Sequence, residues 1–252
     1  LQAASKNQVH FSMTITLELK TLELKQISKA YGSQLALDHL SLSLVPGEIY
    51  CLLGHNGAGK TTTVHLLLNF IQPSTGEIWI AGQSLQADPR AALRQVAYIP
   101  ELVMLYPELN ACENLAYFSQ LAGHRYSSAE LEAFLLQAGL PQAFLKRRIG
   151  QYSKGMRQKV GIAIALAKQA RLLVLDEPTS GLDPQASHEF SKALQSLAQS
   201  GVSIFMVTHD LFRVQELGAR IGILKQGSLQ RELKSTELAP GELEQIYLQV
   251  AS

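Results

Sequence analysis

The chain has 252 residues, 46% of them apolar, which fits one α/β domain with an insertion and supplies a large core. Its formal net charge is +1 with acids and bases interspersed and no long basic run, which excludes nucleic acid as the default partner. No apolar run approaches the ~18–20 residues needed to cross a bilayer, so a role at a membrane calls for a second chain.

Residues 1–14 are polar and mixed and lack the charged start and apolar centre of a secretion signal, so a disordered tail is expected. Residues 16–20 and 21–25 repeat the pentamer TLELK. Leu17, Leu19, Leu22 and Leu24 alternate with polar residues there, which predicts a half-buried edge strand. Residues 40–45 alternate again, Pro46-Gly47 marks a turn, and 48–53 read as a buried strand. A glycine-rich loop at 54–59 leads into a predicted helix at 60–70, which ends near Pro73. A turn at 74–76 and a strand at 77–81 follow. The character then changes. After a strand at 96–99, helical patterns occupy 113–123, 128–139 and 142–146, with Ser127 or Ser128 as N-cap and Gly139 as a stop. These predict an all-helical insertion.

A further helix is predicted at 160–169. Residues 172–175 are continuously apolar, as expected of a strand in a parallel sheet covered on both faces. Helices at 185–200 and 211–217 flank a strand at 203–207. A hairpin pairs 221–224 with 228–232, and Pro240 precedes a last helix at 242–250. Cys51 and Cys112 lie far apart without CxxC or HxxxH spacing, which argues against a disulfide framework or a metal pair.

Two motifs carry chemistry. Residues 54–62, GHNGAGKTT, match GxxxxGK[ST] between a strand and a helix. Glycines let Gly54, Asn56, Gly57 and Gly59 turn backbone N–H groups inward around the phosphates of a nucleoside triphosphate. The following helix aims its positive end at them. Lys60 adds a full charge, and the Thr61 hydroxyl suits Mg²⁺, with Thr62 beside it. Residues 172–177, LLVLDE, form an apolar strand ending in two acids, at the end where ligands gather in such sheets. Asp176 is placed to hold Mg²⁺ and Glu177 to polarise an attacking water.

Between and after these motifs come YSKGMRQ at 152–158, SGLD at 180–183, THD at 208–210 and KAYG at 29–32. With them the chain resembles the ATP-binding subunit of an ABC transporter, from about residue 22 to 250. The resemblance implies a P-loop NTPase (RecA-like) core with an N-terminal antiparallel β subdomain and an inserted all-α subdomain. It places residues 15–250 in one ATPase domain: core 15–99 and 166–235, helical insertion about 100–165, and a carboxyl-terminal helix at 242–250. It assigns Tyr31 to adenine stacking, and Ser153 and Gly155 to the γ-phosphate of ATP held by a second copy. Asp183 falls in the loop beside that shared site, and His209 in the switch-histidine segment. ATP and Mg²⁺ are the implied ligands. The implied partners are a second copy, an integral membrane permease and a periplasmic accessory protein. The implied location is cytoplasmic, on the inner face of a bacterial inner membrane.

Two positions depart from the common family pattern. Glu101 stands after Ile99-Pro100 where many members have Gln, bringing a negative charge towards the metal site. Lys154 and Met156 replace Gly and Gln of the LSGGQ signature, while Ser153 and Gly155 are retained. Both departures resemble the bacterial exporter-type branch, which includes drug-efflux, sodium-efflux and copper-related ATPases. The alternative of another class is a non-transport member acting in translation or DNA repair. Such members carry tandem domains or a long coiled coil, and neither is visible here. A small GTPase is excluded by the absence of NKxD.

Overall fold

A computed structural model describes residues 20–251. The predicted tail at 1–14 and all but Lys20 of the first TLELK copy lie outside the described residues. The second copy opens β1 (Leu22–Tyr31), which pairs antiparallel with β2 (Gln34–Leu44). After β3 (Ile49–Leu53) the chain enters the glycine-rich loop and then α1 (Lys60–Leu67). It returns through β4 (Thr75–Ile80) and β5 (Gln83–Ser84), completing a four-stranded antiparallel sheet in the order β2-β1-β4-β5.

A short helix α2 (Pro89–Arg94), capped by Asp88, precedes β6 (Val96–Ile99). Helices α3 (Ala111–Leu121), α4 (Ser128–Gln137) and α5 (Lys154–Ala167) follow. Capping boxes start both α3 (Asn110 with Glu113) and α4 (Ser127 with Glu130), satisfying amide groups that a helix start leaves unpaired. The remaining elements are β7 (Leu172–Asp176), α6 (Pro184–Gln199), β8 (Ser203–Thr208), α7 (Leu211–Glu216), β9 (Arg220–Lys225), β10 (Ser228–Lys234) and α8 (Glu242–Ala251). The second sheet has six strands in the order β10-β9-β3-β8-β7-β6, parallel except for the terminal hairpin.

The apolar strands at the middle of this sheet divide their side chains between two cores, because successive residues of a strand point to opposite faces. From β3, Ile49, Cys51 and Leu53 join the helices, while Tyr50 and Leu52 join the antiparallel sheet. Leu173 and Leu175 of β7 face the helices, and Leu172 and Val174 the other side; β8 divides in the same way. Every residue of β3 and β8 is buried, which explains why these stretches read as continuous rather than alternating. Cys51 is buried and Cys112 half-buried, and both are free thiols.

Three predicted elements are corrected. The strand placed at 40–45 begins at Gln34, because register shifts along β1 and a positive φ at His39 interrupt its alternation. The helix placed at 142–146 is only a single 3₁₀ turn, Gln142–Phe144. The helix placed at 160–169 starts at Lys154, six residues earlier than the periodicity suggests. Gly155 hid that start, since glycine disfavours helix. It is tolerated because α5 packs closely on α6: a Cβ there would lie 3.2 Å from that of Ala186.

Candidate functional site

The loop at 54–59 joins the carboxyl end of β3 to the amino end of α1, so its backbone amides and the helix's positive pole converge. Gly59 caps α1 with φ +112°, a region closed to residues with a side chain. A Cβ at Gly59 would also lie 2.7 Å from both the Ala36 carbonyl oxygen and Leu37 Cδ2. Lys60 is 8% exposed, and its ammonium donates to the carbonyls of Gly54 (2.6 Å) and His55 (3.2 Å). Burial draws its pKa down, opposed by the nearby Glu177 and Asp176 carboxylates. The cation is thus parked on neutral acceptors, at the floor of a cleft, with two acids across from it.

That cleft has a volume of about 550 Å³. Asn56, Gly57, Gly59, Lys60, Thr61 and Thr62 line it from the loop and α1, and Asp176 and Glu177 from the end of β7. Tyr31 lines its mouth, half-exposed, with the Lys29 ammonium 5.1 Å from the ring centre. Gly54 contributes the carbonyl beneath Lys60. Burial pushes the Asp176 carboxyl above its ordinary value; Glu177 and Glu101 add to that push, and His65 and Lys60 oppose it. Glu177 sits at φ +45°, held there by its amide donating to the Val207 carbonyl at 3.0 Å. His209 Nδ1 lies 3.0 Å from Glu177 Oε2, so the exits of β7 and β8 meet at this carboxylate.

Other singled-out residues lie outside the lining. The Ser153 hydroxyl accepts from the Met156 amide at 3.3 Å and starts α5; Gly155 is buried against α6. Asp183 caps α6, accepting from the Ala186 amide at 2.8 Å. Glu101, on the loop after β6, points to the Lys154 ammonium at 3.4 Å rather than into the cleft. Hydrogen bonds from the Ser180 side chain, then from Lys154, hold its carboxyl below the ordinary range. Sequence reasoning missed Gln34, Leu35, Ala36 and Gln226, which complete the cleft wall. They carry no charge and fall in no motif, so only the fold reveals them.

Among the described residues no group of three or more His, Cys, Asp or Glu could hold a metal unaided. One hydroxyl and one or two carboxylates beside a phosphate-sized cleft suit Mg²⁺, which takes its remaining ligands from water and substrate phosphates. The under-compensated charge of Asp176 fits such a cation. A larger cavity, of about 1240 Å³, lies away from this chemistry, between α2, β6, α3 and α5, with Leu93, Tyr98, Phe118, Leu121 and Lys168 in its wall. Leu102, Met104 and Tyr106, on the loop leading to α3, are exposed.

Residues 37–180 match the family described as ABC transporter. The chain is 39% identical over 216 residues to the bacitracin transport ATP-binding protein BcrA of Bacillus licheniformis, covering 85% of this chain and 69% of that one. It is 35% identical over 212 residues to the Nod factor export ATP-binding protein I of Burkholderia orbicola, covering 84% and 70%. Among solved structures, an ATP-binding subunit of an ABC transporter superposes with a TM-score of 0.79 at 31% identity, covering 92% of this chain and all of that one. A dimeric ATP-binding cassette in a post-hydrolysis state, bound to ADP and Pi, superposes with a TM-score of 0.73 at 26% identity, covering 85% and 98%.

Proposed function

This chain belongs to the ABC transporter family as an ATP-binding subunit, an ATPase, and from that premise we propose that two copies close around two ATP molecules to drive export through a separate membrane permease. What supports the reading is the division of parts in one chain. Lys60, Asp176 and Glu177 line the cleft with His209 against Glu177, whereas the start of α5, at Ser153 and Gly155, lies outside it. A second copy brings its own Ser153 and Gly155 to the open side of the cleft.

ATP enters with adenine on the face of Tyr31 and its phosphates over the loop amides of Gly54, Asn56, Gly57 and Gly59. Lys60 exchanges the Gly54 and His55 carbonyls for phosphate oxygens, recovering the favourable partner its burial lacks. Thr62 contacts the phosphates from the first turn of α1. Thr61 and Asp176 would hold Mg²⁺, which neutralises phosphate charge when bound, while Glu101, paired with Lys154, stays outside this set. Glu177 orients and deprotonates the attacking water, and His209 fixes the Glu177 carboxylate and the γ-phosphate end of the cleft. The partner's Ser153 hydroxyl and the first amides of its α5 donate to the same γ-phosphate, with Asp183 at the seam. ATP is therefore the contact between copies, and cleavage of the γ-phosphate weakens it. The dimer is a two-state element biased by nucleotide.

No helix among the described residues is long and apolar enough to cross a membrane. The permease docks on the large cavity between α2 and α3 and on the exposed Leu102, Met104 and Tyr106 beside it, on the cytoplasmic face of a bacterial inner membrane. The cargo we propose is an antibiotic, because bacitracin transport and linearmycin resistance ATP-binding proteins, from Bacillus licheniformis and Bacillus subtilis, are among the relatives. A second reading follows from likeness at residues 54–62, 99–101, 106–109, 113–115 and 152–159 to NosF. That protein is the ATPase of the NosDFY complex, which serves copper-site assembly of nitrous oxide reductase with a periplasmic accessory protein.

Glu177→Gln tests the site: it should bind ATP, stop hydrolysing it and accumulate as a dimer in size-exclusion chromatography. Full turnover in this variant would place the base elsewhere. Deletion in the source organism decides between cargoes. Increased bacitracin sensitivity supports the antibiotic reading, and nitrous oxide reductase lacking copper supports the other.

A further inference from the structure

Lys154 is the first residue of α5, where a helix presents its positive pole, and no acidic side chain occupies the first turn to balance it. A cation there is unfavourable unless a negative charge arrives from elsewhere. Glu101 supplies that charge from 53 positions earlier, with Oε1 3.4 Å from the Lys154 ammonium. The same ammonium donates to the Ser180 carbonyl at 2.6 Å, on the loop that follows β7. One turn further along α5, the buried Gln158 repeats the pattern. Its Nε2 donates to the Glu101 carbonyl at 3.1 Å and the Pro178 carbonyl at 3.0 Å. Lys154 and Gln158 are four residues apart, so they lie on one face of the helix and grip the same two loops.

We propose that Lys154 is a positioning residue, the charged half of an intrachain latch with Glu101 and Ser180 that fixes the phosphate-contacting end of α5 to the loops after β6 and β7, the second of which carries this chain's own Glu177. The inference rests on the function proposed above. In the dimer, Ser153 and Gly155 serve the partner's ATP, while Glu177 serves the chain's own. The latch thus joins the two sites mechanically. It also keeps the Glu101 carboxylate turned to Lys154 rather than into the cleft. Lys154 is a quarter exposed and Glu101 half-exposed, and ion pairs this accessible add little to stability. Its consequence is therefore geometric and electrostatic at the γ-phosphate.

The test is steady-state ATPase activity of the full chain with Mg-ATP, beside equilibrium binding of a fluorescent ATP analogue. Lys154→Met should lower kcat about tenfold while leaving nucleotide affinity within about twofold, the split expected when only the assembled state is affected. Glu101→Gln alone should also lower kcat, and adding it to Lys154→Met should lower kcat no further, because the pair is already broken. Lys154→Arg should retain activity, and an unchanged thermal midpoint shows that each variant is folded. Lys154→Met with wild-type kcat, or a double variant whose loss is the product of the two single losses, overturns the latch. Lys60→Ala separates the two failures. If it binds the analogue as wild type does, the cleft reading falls, and the latch with it; if it loses binding, the cleft reading stands and the Lys154 variants decide the latch alone.

Discussion

Replacing Lys60 with alanine should weaken ATP binding by about 30- to 1000-fold while leaving the nucleotide-free fold nearly as stable as before. The lysine's ammonium rests on two backbone carbonyls, Gly54 and His55, at 2.6 and 3.2 Å. These satisfy it only as neutral acceptors, and burial still draws its pKa down. Losing the side chain removes two hydrogen bonds and also a desolvated cation, and these effects oppose one another. Phosphate binding has no such cancellation. A hydrogen bond to a charged group contributes about 1.5–3 kcal/mol. Two unit charges 4 Å apart at an effective dielectric of 20 contribute about 4 kcal/mol. A loss of about 2–4 kcal/mol corresponds to the stated range, at 1.4 kcal/mol per tenfold. The linkage sign provides a second readout. A lysine whose folded pKa lies below its unfolded value binds fewer protons when folded, so stability rises with pH towards about 10. That rise should be smaller in Lys60→Ala. Fluorescent-nucleotide titration and urea unfolding measure the two quantities. A Kd within threefold of wild type, or a collapse of the nucleotide-free fold, would refute the reasoning.

Gly59→Ala combines a φ of +112° with a Cβ 2.7 Å from backbone oxygen and from Leu37. It should destabilise the chain by about 2–4 kcal/mol, read as a lowered urea midpoint; an unchanged midpoint would show that the loop yields. Asp176→Asn should raise the thermal midpoint of the nucleotide-free chain at pH 7 while abolishing Mg-dependent hydrolysis. The sign follows from a folded carboxyl pKa above the unfolded value: the native state binds more protons, so stability falls as pH climbs through that interval. The gain should therefore vanish below about pH 4, and a gain persisting there would point to another cause. Ser153→Arg should leave single-chain nucleotide binding intact and abolish hydrolysis; retained turnover would exclude the shared site.

Contiguous features are legible in the sequence itself. The stretches GHNGAGKTT and LLVLDE each hold their chemistry within a few residues, so the motif and its strand or helix are read together. Tyr31 and His209 required the family resemblance, since a lone aromatic or histidine has many uses. The wall formed by Ala36 and Gln226 was not legible, because it depends on where β2 and the β9–β10 turn pass the loop. The grip of α5 on Glu101, Pro178 and Ser180 was hidden for a similar reason. It spans 53, 20 and 26 positions, and the helix start that creates it is masked by a glycine. Register shifts in β1 concealed half of β2 in the same manner.

The division of β3, β7 and β8 between two cores also has a kinetic consequence. A strand covered on both faces exchanges its amide hydrogens only when both layers open together, so these three should be the slowest-exchanging backbone in the chain. Their carboxyl ends run directly into the loop at 54–59, into Glu177 at its positive φ, and into His209, whose side chain is solvent-accessible. The border between the slowest-exchanging strands and more readily opened backbone thus passes through Leu53 and Asp176. Nucleotide should lengthen exchange times on the loop side of that border and leave the strand side unchanged.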